Sequence, residues 1–178
     1  MKIITVLFLG LLPLISNGQD MPKYSFHVEG GYLSNDYVKE ALRKGINSKD
    51  ENRNHKCIIL DVGMQIRISK DWRIGPSFTY DHFGTKHRSV EFSILSFLLK
   101  ADRIWKETRT FTFHSGIALG IKSKKKFVNN ILISRSTRLG CQFDLAGIGL
   151  KLGQFNLYNN IGWGTSGFFS TGIRYSFK

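Results

Sequence analysis

This chain of 178 residues has two cysteines, three prolines, and half as many acidic side chains as basic ones, 13 against 26. Beyond its first residues it has no long apolar run. The longest later stretch, FSILSFLL from Phe92 to Leu99, is strand-sized and broken by serines. A membrane-spanning helix needs roughly 20 apolar residues, so none is expected after the leader. That shortage does not exclude the membrane, because a transmembrane strand spends only every second residue on lipid and reads as mediocre in hydropathy. Three prolines beside 18 glycines and 14 phenylalanines favour a β protein with crowded backbone positions.

The leader MKIITVLFLGLLPLISNGQD places one lysine before an apolar stretch from Ile3 to Ile15, followed by Ser16-Asn17-Gly18. This is the pattern of a secretory signal peptide over residues 1–18, with residues 19–178 as one mature domain. No cysteine follows the apolar stretch, so a lipoprotein anchor is not expected.

The rest of the chain alternates with period 2. In CIILDVGMQIRIS, Ile58, Leu60, Val62, Met64, Ile66 and Ile68 oppose Asp61, Gly63, Gln65, Arg67 and Ser69. After Lys70-Asp71 the alternation resumes in WRIGPSFTYD, which predicts an antiparallel hairpin in which Pro76 forfeits a ladder hydrogen bond. YSFHVEGGY, TFTFHSGIALGIK, FNLYNNIGWG and FFSTGIRYSF repeat the pattern. Two further stretches change parity, SVEFSILSFLL near Ile94-Leu95 and RLGCQFDLAGIGLKL near Ala146-Gly147, and a bulge is expected at each. The sum is eight strands. Long connections at Leu33–Lys56, His82–Arg88 and Ser123–Thr137 alternate with short breaks, and DYVKEALRKG in the first reads as a brief helix capped by Asp36 and ended by Gly45.

The polar face carries His27, Glu29, Asp61, Gln65, Arg67, Arg73, Asp81 and His114, charges of both signs that suit the packed interior of a narrow barrel. A lipocalin would need an apolar lining instead. The apolar face carries Trp72, Tyr80, Trp163, Tyr175 and Phe177 near strand ends, where interfacial girdles form. The expected fold is an eight-stranded antiparallel up-and-down transmembrane β-barrel with short periplasmic turns and longer extracellular loops, seated in a bacterial outer membrane.

The whole mature chain resembles the small OmpA/OmpX-like outer-membrane β-barrels, and LYNNIGWGTSGFFSTGIRYSF looks like their last hairpin. The resemblance implies insertion by the outer-membrane assembly machinery, which reads a C-terminal aromatic; here Phe177 is followed by Lys178.

His114-Ser115 invites comparison with barrels that deacylate lipid A, but adjacent strand residues face opposite sides, and no third group is spaced to orient a base. The alternative is a lumen histidine paired with a carboxylate such as Asp61 or Glu29. No catalytic set, metal or cofactor is expected. A bridge between Cys57 and Cys141 stays open, although they fall on the second and sixth strands, nearly opposite in a barrel of eight. Much of the formal charge of +13 falls in outer connections, in NRNHK (Asn52–Lys56), TKHR (Thr85–Arg88) and KSKKK (Lys122–Lys126), the last giving a surface basic loop with Lys124, Lys125 and Lys126. Nucleic acid is no partner for a cell-surface protein. Lipopolysaccharide phosphates are the natural counterions. The expected function is non-catalytic, in envelope integrity, surface contact or a membrane complex, with a lipid-modifying barrel enzyme as the alternative.

Overall fold

The computed structural model describes residues 23–43, 57–85 and 90–178. The expected leader and the expected helix stop at Gly45 lie outside them. Eight strands form one closed antiparallel barrel in chain order: β1 (Tyr24–Tyr32), β2 (Cys57–Arg67), β3 (Trp72–Thr85), β4 (Val90–Glu107), β5 (Phe111–Val128), β6 (Ile131–Leu152), β7 (Phe155–Gly164) and β8 (Phe169–Phe177). β8 pairs with β1 from Tyr24↔Phe177 to Tyr32↔Phe169, so the C-terminal strand closes the barrel and no edge remains around the membrane belt. One helix, α1 (Asn35–Arg43), follows β1.

Pairing explains several local features. The β2–β3 ladder runs from Cys57↔Phe83 to Gly63↔Ser77 and resumes at Ile66↔Ile74, while on the other side Pro76 stays paired with Leu99. The proline therefore interrupts one ladder only, as its missing N–H requires. The parity change near Ala146 is a bulge: Gly116 pairs Asp144 and His114 pairs Gly147, so Leu145 and Ala146 together oppose Ser115. The β7 register shifts at the same place.

No bulge occurs near Ile94-Leu95, where the β3–β4 and β4–β5 ladders run unbroken. Phe92 and Ile94 turn inward instead and pack with Phe83 and Val90, against which Tyr37, Cys57 and Val128 also pack. Tyr37 of α1 meets the Phe83 ring edge-on at 5.7 Å. Above the membrane the barrel interior thus becomes an ordinary apolar core, roofed by the helix. Ser34, not Asp36, caps that helix, its hydroxyl accepting the Tyr37 N–H at 3.2 Å. Asp36 lies in the first turn, where a carboxylate suits the helix dipole, and pairs with Lys122 and, at 3.9 Å, Lys124.

The expected loop Ser123–Thr137 is a continued hairpin. β5 and β6 stay paired as far as Val128↔Ile131, and Asn129 and Asn130 make the turn with φ of 50° and 63°. Asparagine tolerates the two positive φ values that such a two-residue turn demands. Lys124, Lys125 and Lys126 consequently belong to strand β5, opposite Ser136, Arg135 and Ser134, and not to a surface loop. At the other end β4 runs on past the stretch ending at Leu99, as far as Glu107.

Candidate functional site

The outward face is a belt of exposed apolar side chains, among them Leu60, Phe78, Phe97, Ile117, Leu119, Leu157 and Ile173. Aromatic side chains rim both ends. Trp72, Tyr175 and Phe177 lie at the short-turn end with Trp105, and Tyr80 and Trp163 lie toward the other, all facing outward. Arg103 holds its guanidinium 4.1 Å from the Trp105 ring, a cation–π contact where an interface offers both lipid and water. Apolar surface this extensive on a closed barrel belongs in a bilayer.

The inward face is polar. His27, Glu29, Asp61, Gln65, Arg73, Asp81 and His114 are all buried, and Arg67 sits at the periplasmic rim. His27 Nε2 and Asp61 Oδ1 lie 3.0 Å apart, and Thr79 donates to Asp61 at 2.5 Å. Large lumen side chains fit because inward glycines face them. A Cβ on Gly63 would come within 2.5 Å of the His27 ring, and one on Gly172 within 2.6 Å of the Tyr158 ring.

Further members of this network include Lys100, Asp102, Asp144, Tyr158 and Arg174, with Thr79, Gln142 and Asn160 beside them. Asp102 accepts from Gln65 Nε2 at 3.0 Å and Arg174 Nη2 at 3.1 Å, with Arg73 at 3.9 Å. Lys100 joins Asp144 at 2.9 Å to Glu29 at 3.6 Å, and Tyr158 donates to Glu29 at 3.0 Å. Arg174 lies 4.7 Å from the Tyr158 ring. Buried charge paired in this way fills the middle of the barrel with side chains.

His114 does not pair with Asp61 or Glu29. It packs edge-on against Tyr158 at 6.0 Å. Ser115 points outward, where Trp105 Nε1 donates to its hydroxyl at 2.8 Å. The two adjacent side chains therefore cannot act as base and nucleophile on one substrate. Cys57 and Cys141 are free thiols, and among the described residues no cluster of three or more His, Cys, Asp or Glu side chains is arranged to hold a metal ion. Lys122 and Lys124 turn inward to Asp36, and Lys124 also stands 4.4 Å over the Phe92 ring; Lys126 is half-buried and Lys125 is exposed.

At the periplasmic rim, Glu107 takes Arg67 at 2.6 Å and Lys151 at 2.8 Å. Partial burial pushes its carboxyl upward, but these two hydrogen-bonded cations outweigh that and hold it below the usual glutamate range.

No known protein family matches the sequence, and no curated protein is significantly similar to it. Solved structures do match in fold. Neisserial surface protein A aligns at a TM-score of 0.55 and 11% identity, over 86% of this chain and 97% of its own. The N-terminal barrel of Pseudomonas aeruginosa OprF gives 0.52 at 10% identity, covering 89% and 100%. Ail, the attachment invasion locus protein of Yersinia pestis, gives 0.50 at 11% identity, covering 87% and 97%. With its lipid-facing belt, its two aromatic rims and its closed ring of eight antiparallel strands, the chain has the fold of the small outer-membrane β-barrels and is built to sit in that membrane.

Proposed function

We propose that this protein is a non-catalytic outer-membrane barrel that makes contacts at the cell surface through a sheet projecting above its rim. The observation that carries this reading is a difference in strand height. β7 ends at Gly164, opposite Gln142, whereas β6 begins eleven residues farther out, at Ile131. Among the described residues, the stretch Ile131–Gly140 of β6 is laddered to β5 alone, with Ile133 bulged out of that ladder, while the Cys141 carbonyl is already capped by the Thr165 N–H; one edge of β6 above that point is left unpaired. Such an edge is a template for an added strand. Ile131, Ile133 and Leu139 lie exposed along it, and Arg135 gives it positive charge, which favours an extended, acidic polypeptide as the strand that joins. The attachment function in the name of Ail, a barrel of the same fold, agrees with this reading. Lys125 and Arg135 also face outward, where lipopolysaccharide phosphates would serve as counterions.

The test is adherence to epithelial monolayers by otherwise non-adherent cells that display the barrel. A variant in which Ser123–Thr137 is replaced by a short turn should insert normally but lose adherence, and Arg135→Glu should weaken it. Equal adherence of all three would leave the barrel a role in envelope integrity alone.

A further inference from the structure

At the periplasmic mouth the lumen opens into a cavity of about 480 Å³. Its lining includes five cationic side chains, Lys23, Arg67, Arg73, Lys151 and Lys178, against the single carboxylate side chain of Glu107. Glu107 is already engaged by Arg67 and Lys151. Arg67 is further tied down by the Ser69 and Lys70 carbonyls.

Arg73 is different. It is 7% exposed, yet its Nε and Nη2 have no hydrogen-bond acceptor among the described residues. Asp102, the nearest carboxylate, stands 3.9 Å away and is already taken by Arg174 and Gln65. Thr112 lines the same cavity, is 2% exposed, and its hydroxyl is likewise without a partner. A buried guanidinium with open donors beside excess positive charge is costly unless an acceptor completes it. A guanidinium fork matches the oxygens of a tetrahedral oxyanion, and a phosphate has enough oxygens to serve Arg73, Thr112 and a rim lysine together. Water would satisfy the donors, but the one carboxylate within 4 Å of Arg73 among the described residues, Asp102, is shared with Arg174.

We propose that the periplasmic mouth binds a phosphate group, with Arg73 and Thr112 as its inner contacts and Lys23 as a charge at the rim. A soluble phosphate and the headgroup of an inner-leaflet phospholipid offer this same chemistry. The inference does not depend on adherence and survives its failure.

The experiment uses the full barrel folded in uncharged detergent, with phosphorus NMR titrations at constant ionic strength. One arm adds inorganic phosphate, and the other adds dihexanoyl phosphatidylglycerol. Saturable binding in either arm is expected, with Arg73→Gln and Thr112→Val each weakening it about tenfold or more, the size of one lost charge-assisted hydrogen bond. Binding of inorganic phosphate assigns a soluble ligand, and binding of the lipid alone assigns a headgroup. Where Arg73→Gln does not fold, as read by heat-modifiable gel mobility, Thr112→Val decides. No saturable binding in either arm, or binding undiminished in the folded variants, overturns the proposal.

Discussion

Asp102 is the side chain on which the lumen depends most. It is fully buried and stands among three cationic or amide donors, so removing it strands Arg174 and Arg73 in a low-dielectric interior. Asp102→Ala is expected to cost about 3–5 kcal/mol, measured as a lowered urea midpoint for the barrel in vesicles. Asp102→Leu combined with Arg174→Met removes one pair of charges and should recover part of that loss, since Arg73 still lacks its carboxylate. At the rim, Glu107 has a carboxyl depressed in the folded state, so its ion pairs contribute stability above the ordinary glutamate range and lose it as pH falls through the folded value. Glu107→Gln should therefore flatten the acid limb of the stability profile and lower stability at neutral pH. An inward placement of His27, Glu29, Asp61, Gln65 and Arg73 was legible because each sits in a clean alternation; Tyr158 and Arg174 alternate as cleanly, but their partners lie on distant strands that alternation does not identify. Lys100 and Asp102 escaped because the strand seemed to end at Leu99, and Asp144 because it adjoins the parity change.

At the scale of elements, the two parity changes looked alike in sequence and have different causes. The one at Leu145-Ala146 is an inserted residue that leaves both side chains exposed, so deletion of Ala146 should restore strict alternation and still give a folded, heat-modifiable barrel. Deletion of Ile148, outside the bulge, should not, because it turns the remainder of β6 inside out. The change at Ile94 is no insertion. Phe92 and Ile94 turn inward because α1 and Tyr37 cover them, and above the bilayer an apolar side chain buries itself as in any soluble domain. The Asn129-Asn130 turn follows the same logic of local geometry. Replacing both asparagines with alanine imposes positive φ on residues that resist it, at about 1 kcal/mol each. The tip should then fray, with faster tryptic cleavage near Lys126 and Arg135, while the membrane belt stays resistant.

For the whole molecule, strand count and facing were legible because alternation is a local property wherever one face meets lipid and the other the lumen. How far each strand rises above the membrane was not, since outside the bilayer nothing in the alternation marks where a ladder stops. Eight crossings return the chain to its starting side, so an epitope inserted at Asn129-Asn130 should be labelled on intact cells and one placed after Lys178 should not. Filling the lumen has a consequence of its own. Arg174, Tyr158, Lys100, Gln65 and Gln142 are buried side chains from five different strands that occupy the middle of the barrel, held by ion pairs and hydrogen bonds rather than lining an open bore. An eight-stranded barrel has an interior just wide enough for such side chains. The folded protein in planar bilayers should accordingly pass no stepwise current, whereas Tyr158→Ala with Arg174→Ala, which removes two of the largest buried side chains, should admit water and small ions. Regular conductance steps from the unaltered barrel would mean that the buried network opens in the membrane.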